Sequence, residues 1–534
     1  MELSREEEDP TKMGSDSRKR PSTMEKIHRY FREYCNSTSI HGMKYLAEDR
    51  SLGERLLWLG LICCSLSACI YLILQIYGKF QRSPVIVTFA TSESPIYTIP
   101  FPAVTVCPLT QARKEVFDFS ETIRKMKRNE SVTDKEYRYA KYMSLACEKD
   151  NKLFKNETTF TEDFFRAIDE LKIPFDEVMI SCKMMNIPAP CEKLFHPIIL
   201  DHTVCYTFNM LDRDDIFHNN VVHYGNYHNF EEEISGWSND KGYFKQDNVL
   251  QNYPIRAFLA GADNALEITF YQNYSNNDHL CIEDTQGYHV SLHAPYAIPL
   301  IKKQYFNVPF ERVVMVSVRP KVISTSEKVR QFDPDIRQCY FSTEKPLKYF
   351  KVYSPKNCKL ECLTNYTLNT CGCVGYYMPR ENATAICGNS NYKCMEDAEL
   401  QLKVKQLMEQ IVGGKENFFC DCKPLCTDVT YETAISPTYW DFTRQFEAWN
   451  IHDDVIIDKH AHFAKLIIYF EQDSFLTSER SELYGPTDFL ANFGGLLGLF
   501  TGFSLLSAVE IIYFLSVRMC CNFRLHRIWT GVEN

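Results

Sequence analysis

The sequence predicts an α+β membrane protein in which two transmembrane helices flank one large, disulfide-rich extracellular domain. Two long apolar runs interrupt a chain of 534 residues, whose mean hydropathy of −0.29 excludes a bundle of many membrane spans. Sixteen of the 22 cysteines lie between those two runs. Short segments rich in β-branched and aromatic residues lie there as well, which adds strands to the helices.

The two apolar runs differ in length. The first, residues 56–76, holds no charged side chain and, as a helix of 21 residues, just crosses a hydrocarbon core of about 30 Å. The second, residues 489–517, would be about 43 Å long as a straight helix, so it must tilt, emerge at one end or break. Because the amino terminus is charged and polar, with no cleavable signal peptide, we expect the first span to act as the anchor. The predicted divisions are a cytoplasmic region at 1–55, a first span at 56–78, an extracellular domain at 79–485, a second span at 486–517 and a cytoplasmic tail at 518–534.

The segment between the spans has two marks of an extracellular domain. Its number of cysteines is even, as a set of disulfides in an oxidising compartment requires. It also holds five acceptor sequences for N-linked glycans, at Asn129, Asn156, Asn273, Asn365 and Asn382. A sixth, at Asn36, would stay unused if both termini are cytoplasmic. That orientation agrees with the basic residues after the second span, which are Arg518, Arg524 and Arg527.

Hydrophobic patterning predicts the main elements. The strand-like segments are TVCPL, TVCYTFNML, LEITFYQ, YHVSLHA, RVVMVSVR and AKLIIYFEQDSF. Residues 111–200 are predicted to be mainly helical, as are 25–35 and 396–411. Residues 1–24 are polar and are expected to be disordered.

The chain has a formal net charge of −10; residues 1–55 hold 11 basic and 11 acidic side chains and the last 17 residues hold three and one, which leaves about −12 for the part between them. An acidic extracellular domain would concentrate cations at its surface, and it would equally keep a glycosylated surface soluble. Nothing in the charge pattern suggests nucleic acid. The sequence holds no Gly-x-Ser-x-Gly, His-Glu-x-x-His or phosphate-loop pattern, so we do not expect an enzyme.

The cysteine spacing predicts a ladder of bridges. Cys358 and Cys362 share one face of a helix if one forms, and Cys420 and Cys422 share one face of a strand. Antiparallel packing of the two pairs would give Cys358–Cys422 and Cys362–Cys420, with Cys339–Cys426 as a third rung and Cys371, Cys373, Cys387 and Cys394 closing the distal turn. A zinc site is the alternative for such clusters, but the spacing lacks paired Cys-x2-Cys knuckles, and we predict no metal.

Several motifs together resemble one family. These are FPAVTVCP after the first span, CYTFN at residues 205–209, the cysteine cluster from 358 to 426, His41-Gly42 before the first span, and GLFTGFSLL within the second. They are similar to the degenerin/epithelial sodium channel family, and FGGLLGLFTGFSLLSAVEIIYF and DIRQCYF are most similar to its insect pickpocket branch. The resemblance covers nearly the whole chain from about residue 26.

The resemblance implies a homotrimeric or heterotrimeric cation channel, usually sodium-selective and blocked by amiloride, with other pickpocket subunits as partners. It implies Na⁺ as the permeant ion, no cofactor, and an extracellular domain of palm, β-ball, finger, thumb and knuckle. It supports the ladder and suggests four further bridges, which are Cys107–Cys205, Cys182–Cys191, Cys371–Cys394 and Cys373–Cys387. Cys147 and Cys281 remain and are expected to pair with each other.

Small residues recur along the second span. Gly494, Gly498 and Gly502 are four apart, so they line one helical stripe, which by itself usually means helix packing. By resemblance, however, Gly502, Phe503 and Ser504 match the Gly-x-Ser selectivity filter of the family, where a backbone freed from helical pairing offers carbonyl oxygens to a cation. We expect the phenyl group of Phe503 to face away from the pore axis.

The same resemblance assigns further residues to the pore. Glu510, a costly carboxylate deep in the span, would attract cations in the inner pore, although it could also reach towards the cytosol. Asn492 stands near the outer mouth, where acid-sensing relatives often have an acidic residue, and Gly495 and Gly498 are expected to line the pore. Ala491 matches a small residue whose enlargement props such channels open; otherwise it is a packing residue.

His41 and Gly42 precede the first span. On chemistry alone, a single cytoplasmic histidine is a solvated polar residue. By resemblance, Gly42 permits a backbone turn below the pore and His41 helps to set the open probability. No gating stimulus follows from the sequence, because VRQFDPDIRQC lacks the tryptophan that acid-sensing relatives place there.

The sequence thus predicts a sodium-permeable channel subunit of the pickpocket type, in the plasma membrane of an insect cell, and we expect that cell to be a sensory neuron. Three other classes remain open. These are an ATP-gated two-span channel, which lacks this cysteine spacing, a non-conducting or auxiliary subunit that keeps every extracellular feature, and an ectoenzyme.

Overall fold

The computed structural model describes residues 22–82, 85–225, 227, 236–244, 253–281, 285–412, 420–449, 461–526 and 530. The chain divides into two compact units. We call residues 1–84 together with 482–534 the terminal unit, and residues 85–481 the central unit. Residues 1–21 of the segment predicted to be disordered lie outside the described residues, as does Arg527, and the prediction is wrong for residues 23 and 24, which begin a helix.

The helices of the described residues follow in chain order. They are α1 (Thr23–Ser37), α2 (Met43–Ala47), α3 (Leu52–Arg82), α4 (Phe119–Lys127), α5 (Asp134–Ala146), α6 (Asp163–Leu171), α7 (Cys191–Leu194), α8 (Arg213–Ile216), α9 (Glu327–Arg330), α10 (Pro334–Arg337), α11 (Pro355–Cys371), α12 (Tyr392–Val412), α13 (Phe442–Ala448), α14 (Pro486–Thr501), α15 (Leu505–Ile512) and α16 (Arg518–His526). A π-helical turn, Tyr513–Val517, joins α15 to α16.

The strands of the described residues all belong to the central unit, apart from the last residue of the final one. They are β1 (Val85–Phe89), β2 (Ser94–Pro95), β3 (Ala103–Pro108), β4 (Thr159–Phe160), β5 (Met179–Met184), β6 (Ile187–Ala189), β7 (Phe195–Leu200), β8 (Thr203–Phe208), β9 (Trp237–Ser238), β10 (Gly242–Tyr243), β11 (Leu266–Asn273), β12 (Tyr288–His293), β13 (Phe306–Val308), β14 (Arg312–Thr325), β15 (Ile386–Cys387), β16 (Asp428–Tyr439), β17 (Ala461–Phe470), β18 (Ser474–Phe475) and β19 (Ser478–Glu482).

Two sheets organise the central unit. The larger has the strand order β1-β19-β14-β17-β11-β5-β6, with β16 also paired to β14. In β11 and β17, buried residues alternate with half-buried ones, because one face of this sheet lies on the core. The second sheet has the order β13-β12-β3-β8-β7, and its strands β3 and β8 are buried along their whole length. One apolar cluster joins both sheets and includes Val106, Phe208, Phe270 and Leu466.

The predicted elements agree with these sheets in most places. Each of the six strand-like segments contains a strand, namely β3, β8, β11, β12, β14 and β17. The predicted helices at 25–35 and 396–411 are confirmed as α1 and α12. The prediction for 111–200 is wrong beyond residue 171, where β5, β6 and β7 follow α6. These strands alternate apolar residues with Lys, Ser and Pro, a pattern that resembles a charged helix when it is read without its sheet neighbours.

All 22 cysteines lie in the described residues, and sixteen of them form disulfides in the central unit. The bridges are Cys107–Cys205, Cys147–Cys281, Cys182–Cys191, Cys339–Cys426, Cys358–Cys422, Cys362–Cys420, Cys371–Cys394 and Cys373–Cys387. These are the same eight pairs that the spacing and the resemblance suggest. Cys358 and Cys362 do lie on a helix, α11, whereas Cys420 and Cys422 lie before β16 and not on a strand.

The terminal unit is built from α1–α3 and α14–α16. Two helical segments, Leu52–Arg82 and Leu505–Leu525, are long and apolar enough to cross a membrane by length and composition. The first is longer at both ends than the predicted span at 56–78. α3 and α14 pack antiparallel along their length: Ser65 lies next to Phe500, and the rings of Phe80 and Phe489 are 5.6 Å apart between centroids.

Candidate functional site

The second apolar run is interrupted within the terminal unit. α14 ends at Thr501, α15 begins at Leu505, and the residues between them are not helical. Gly502 has a φ of +66°, in the left-handed region that glycine adopts at little cost. The three residues predicted as a selectivity filter therefore form the link between two helices.

Two backbone carbonyls at this break find partners elsewhere in the chain. In a continuous helix, the carbonyls of Phe500 and Thr501 would accept from the N–H groups four residues later. Instead, the Ser65 hydroxyl of α3 donates to the Phe500 carbonyl at 2.6 Å, and the N–H of His41 donates to the Thr501 carbonyl at 2.9 Å. Since unpaired backbone groups are costly at membrane depth, these two bonds stabilise the break.

The ring of His41 lies directly against Gly502. A Cβ atom added at residue 502 would stand 2.6 Å from Nδ1 and 2.8 Å from Cε1 of His41, so no larger residue fits while the ring stays in place. Gly42 has a φ of +84°, and a Cβ there would meet Cγ1 of Ile62 at 3.0 Å. The His-Gly motif therefore packs directly against the helix break. The two motifs alone did not predict this contact.

Glu510 is bonded to the segment that precedes His41. Both the N–H and the hydroxyl of Ser39 donate to Oε2 of Glu510, each at 3.2 Å. The Ser39 and Ser507 hydroxyls are 2.7 Å apart, and the Ser507 side chain is fully buried. The half-buried Glu510 carboxylate thus lies against the amino-terminal segment. Sequence reasoning missed Ser39, because its partners are about 470 residues away in the chain.

Helix α1 packs against the end of the second apolar run. Its first turn is closed by a capping box between Ser22 and Glu25. The Tyr30 hydroxyl donates to the carbonyl of Phe514 at 2.5 Å, inside the π-helical turn. Glu33 forms an ion pair with Arg518, whose guanidinium lies 4.6 Å from the ring centroid of Phe514. A π-helical turn often marks a functional site, and here the turn is the part of the second run that contacts α1.

A cavity of about 660 Å³ lies beside the break. Its lining is mostly apolar and includes Ile40, His41, Trp58, Ile62, Phe500 and Phe503. The side chain of Phe503 therefore contributes to a wall shared with α3 and with the His-Gly motif.

The remaining predicted pore residues all lie on α14. Ala491, Asn492, Gly494 and Gly495 are exposed in the single chain, and Gly498 is half-buried. Cβ atoms added at Gly494 or Gly495 would meet no atom within 4 Å. Packing inside this chain therefore does not explain why these two residues are small.

The five predicted glycan acceptors differ in exposure. Asn129, Asn156 and Asn382 are exposed, whereas Asn273 and Asn365 are half-buried. Asn365 lies inside α11, and the Thr367 of its acceptor sequence is fully buried.

Three buried histidines lie in or beside the second sheet of the central unit. Burial lowers the pKa of His202 and of His293 to about 3 and that of His289 to about 4. The rings of His202 and His289 are 5.1 Å apart between centroids, and the neighbouring His289 adds to the effect of burial in lowering the pKa of His202. Nε2 of His293 lies 2.8 Å from the Thr105 hydroxyl of β3.

The lowered pKa values of these three histidines predict that acid destabilises the central unit. Each has a folded-state pKa below its unfolded value of about 6.5, so the unfolded chain binds more protons as pH falls from 6.5 towards 4. For each pH unit, each of these histidines should then lower the free energy of unfolding by up to about 1.4 kcal/mol. Melting curves of the purified full-length protein at pH 7.5 and pH 5 test this: His293→Asn should lessen the acid-induced drop in Tm, whereas His279→Asn, at an exposed residue, should not.

Together, these features define a membrane protein with two long apolar runs, a disulfide-rich central unit and an irregular break at residues 502–504 of the second run, the kind of backbone that channels use at membrane depth. A protein family described as "Amiloride-sensitive sodium channel" matches residues 34–514. The chain belongs to this family, the degenerin/epithelial sodium channel family, and to its pickpocket branch. It is a family of membrane-embedded ion channels rather than enzymes, and its permeant ion is Na⁺.

The most informative relatives span almost the whole chain. Pickpocket protein 28 of Drosophila melanogaster is 28% identical over 504 residues, which are 91% of this chain and 78% of that protein. Pickpocket protein 19 of the same organism is 25% identical, and the match covers 92% of this chain and 91% of that protein. Acid-sensing ion channel 1 of Gallus gallus is 20% identical, and the match covers 90% of this chain and 82% of that protein.

Proposed function

We propose that this chain is a sodium-selective, amiloride-sensitive channel subunit that forms a homotrimer or a heterotrimer with other pickpocket subunits. The observation that carries the proposal is the break at Gly502, with two carbonyls held by His41 and Ser65. Both termini are cytoplasmic, residues 79–485 are extracellular, and the stimulus is one that sensory neurons detect.

Gly502, Phe503 and Ser504 form the ion-selective constriction. The hydroxyl of Ser504 accepts from the N–H of Ser507, which begins α15 with a stable cap and leaves backbone oxygens as the ligands for a passing cation. Support from other parts of the chain matters here because it fixes where these backbone oxygens lie. The bonds from His41 and Ser65 supply that support from two different elements.

The exposed face of α14 lines the outer pore. A Cβ added at Gly494 or Gly495 would meet no atom within 4 Å, which is the expected situation if that face meets the same face of other subunits around an axis. Asn492, Gly495 and Gly498 then line the pathway above the filter. Glu510 lies beyond the filter, and its carboxylate raises the local cation concentration in the inner pore.

His41 and Gly42 control opening. The His41 ring contacts Gly502, and the His41 N–H bonds to Thr501, so a shift of the amino-terminal segment moves the filter directly. Ser39 adds a second link through Glu510. The amino-terminal segment is therefore part of the gate.

The test is a voltage-clamp recording from cells that express the Ala491→Val protein. Ala491 is exposed, so a larger side chain there would point out of this chain's packed interior, towards the other subunits of the proposed trimer. We expect a constitutive sodium current that amiloride blocks and that disappears when sodium is replaced by a large organic cation. Leu490→Val, at the exposed neighbouring residue, is the control and should show no constitutive current.

Two outcomes would count against this proposal. A current of equal size with the large organic cation would contradict a selective filter. Silence of Ala491→Val at the cell surface, both alone and with pickpocket partners, would favour a non-conducting auxiliary subunit. Current only with a partner would support the heteromeric form.

A further inference from the structure

The cavity beside the helix break has no part in the proposed conduction pathway. Its volume, about 660 Å³, is within the range of about 300 to 1,000 Å³ that small-molecule sites occupy. Its walls come from three parts of the terminal unit, which are residues 40–43, the first half of α3 and residues 497–503. A pocket of this size between packed helical elements is a common place for a ligand.

The walls of the cavity favour an uncharged ligand. They include apolar side chains such as Ile62, Phe500 and Phe503, and none of the described lining residues is an acid, a lysine or an arginine. A charged group brought here would lose its hydration without gaining a counter-charge, which is costly. Ions and charged metabolites are therefore poor occupants.

The cavity opens at the outer surface of α3. Leu61 and Leu66 line it and are nevertheless 51% and 41% exposed. Ile62 lies six residues, or about 9 Å along the helix, past Leu56, where the first apolar run begins. Because this part of α3 lies in the hydrocarbon of the membrane, an occupant must dissolve in lipid and must arrive through it.

The polar groups of the lining differ in how far they are already bonded. The Ser65 hydroxyl donates to the Phe500 carbonyl at 2.6 Å. The Thr501 hydroxyl donates to the Leu497 carbonyl at 2.7 Å. The imidazole of His41, in contrast, is exposed and has no hydrogen-bond partner among the described residues. Since each ring nitrogen of an imidazole can donate or accept a hydrogen bond, a hydroxyl or carbonyl group of a ligand would find its partner here.

We propose that this cavity binds an uncharged lipophilic molecule that carries one hydroxyl or carbonyl group. The apolar body of the molecule lies between α3 and Phe503, and its polar group bonds to the His41 ring. Apolar walls supply most of the binding in such sites, and a single polar contact fixes the orientation of the ligand. The competing occupants are a lipid chain and a helix of another subunit.

A bound molecule would touch two parts of the filter support at once. The His41 ring lies against Gly502, and Phe503 is the next residue of the link between α14 and α15. Occupancy would therefore resist movement of the amino-terminal segment away from the break. This consequence rests on the proposed function, whereas binding itself does not and can be measured without a current.

The experiment is photolabelling of the purified full-length protein in lipid nanodiscs. The probe is an octanol that carries a diazirine, and the labelled residues are identified by mass spectrometry. We expect saturable labelling of residues 58–66 and 497–503, which excess octanol reduces at least about tenfold and octanesulfonate, a charged molecule of equal chain length, does not. The corresponding octane probe lacks the hydroxyl and should label these residues about fivefold less, the ratio that one hydrogen bond supports.

A matched pair of variants tests the position of the site. Leu66→Trp enlarges a side chain of the cavity wall and should lower the labelling at least about tenfold. Leu59→Trp is the control and should keep it, because Leu59 is on the same helix, is 47% exposed and is not among the described residues that line the cavity. His41→Ala should lower the labelling by the octanol probe to that of the octane probe. A single peak in size-exclusion chromatography confirms that each variant is folded.

Three results would overturn the proposal. These are absence of saturable labelling in the natural chain, equal labelling by the octanol and octane probes, and undiminished labelling in Leu66→Trp. The first would mean that a lipid chain or another subunit fills the cavity, and the second that the His41 ring bonds no ligand. A labelled chain that carries no current would fail as a channel and still keep this site, whereas a conducting chain without labelling would refute the site alone.

Discussion

Gly502→Ala is expected to reduce the sodium current of the Ala491→Val background at least about tenfold at equal surface expression. The backbone at residue 502 is in the left-handed region, which costs an L-residue about 1 to 2 kcal/mol. The added Cβ would also stand 2.6 Å from Nδ1 of His41, so the ring, the helix break or both must move. The measurement is whole-cell current normalised to surface protein.

Two variants separate the contributions to this loss. Gly498→Ala adds a methyl group one turn earlier, where the nearest atom is 3.9 Å away, and should change the current much less. His41→Ala/Gly502→Ala removes the collision and keeps the backbone strain, so it should recover part of the current. Undiminished current in Gly502→Ala would mean that the contact with His41 is absent from the conducting state.

Gly287→Ala is expected to prevent the protein from reaching the cell surface. Gly287 precedes β12 with a φ of +117°, and a Cβ there would lie 2.1 Å from the backbone carbonyl of Val308 in β13. Because the obstacle is backbone, β12 and β13 must separate, at a cost of about 2 to 5 kcal/mol for strain and overpacking together. Surface biotinylation should fall below about a tenth of the natural level, since marginal stability leaves little reserve.

The matched control for this prediction is Gly242→Ala. Gly242 also has a positive φ, of +73°, but a Cβ there would meet nothing within 4 Å. It therefore isolates backbone strain from collision, and at least half of the surface signal should remain. Equal losses in both variants would show that strain alone explains the defect at residue 287.

Local patterns predicted the central unit well. Strands such as β3, β8 and β11 carry continuous or alternating apolar residues, and cysteine spacing restricted which bridges were geometrically possible. The failure at β5–β7 has a physical cause. Their residues include Ser181, Lys183 and Pro188, which are acceptable in short strands near a sheet edge and carry little strand signal on their own.

The candidate site was predicted only in part. The Gly-x-Ser and His-Gly motifs were visible, and the excess length of the second run required a break, tilt or overhang. The contact between His41 and Gly502 and the bond between Ser39 and Glu510 were not visible. They join residues more than 450 apart in the chain, and nothing in a local window of sequence encodes which distant carbonyl a backbone N–H will meet.

The dependence of Thr501 and Glu510 on the amino-terminal segment matters for experiments that exchange parts between related channels to locate a stimulus sensor. A chimera joined within the first apolar helix would combine the His41 region of one parent with the filter of another. Its currents would then be altered by poor contacts between the His41 region and the filter, and they would not show what the transferred sensor does. Junctions near residues 84 and 482, made together, keep both halves of that support from one parent and transfer the central unit intact.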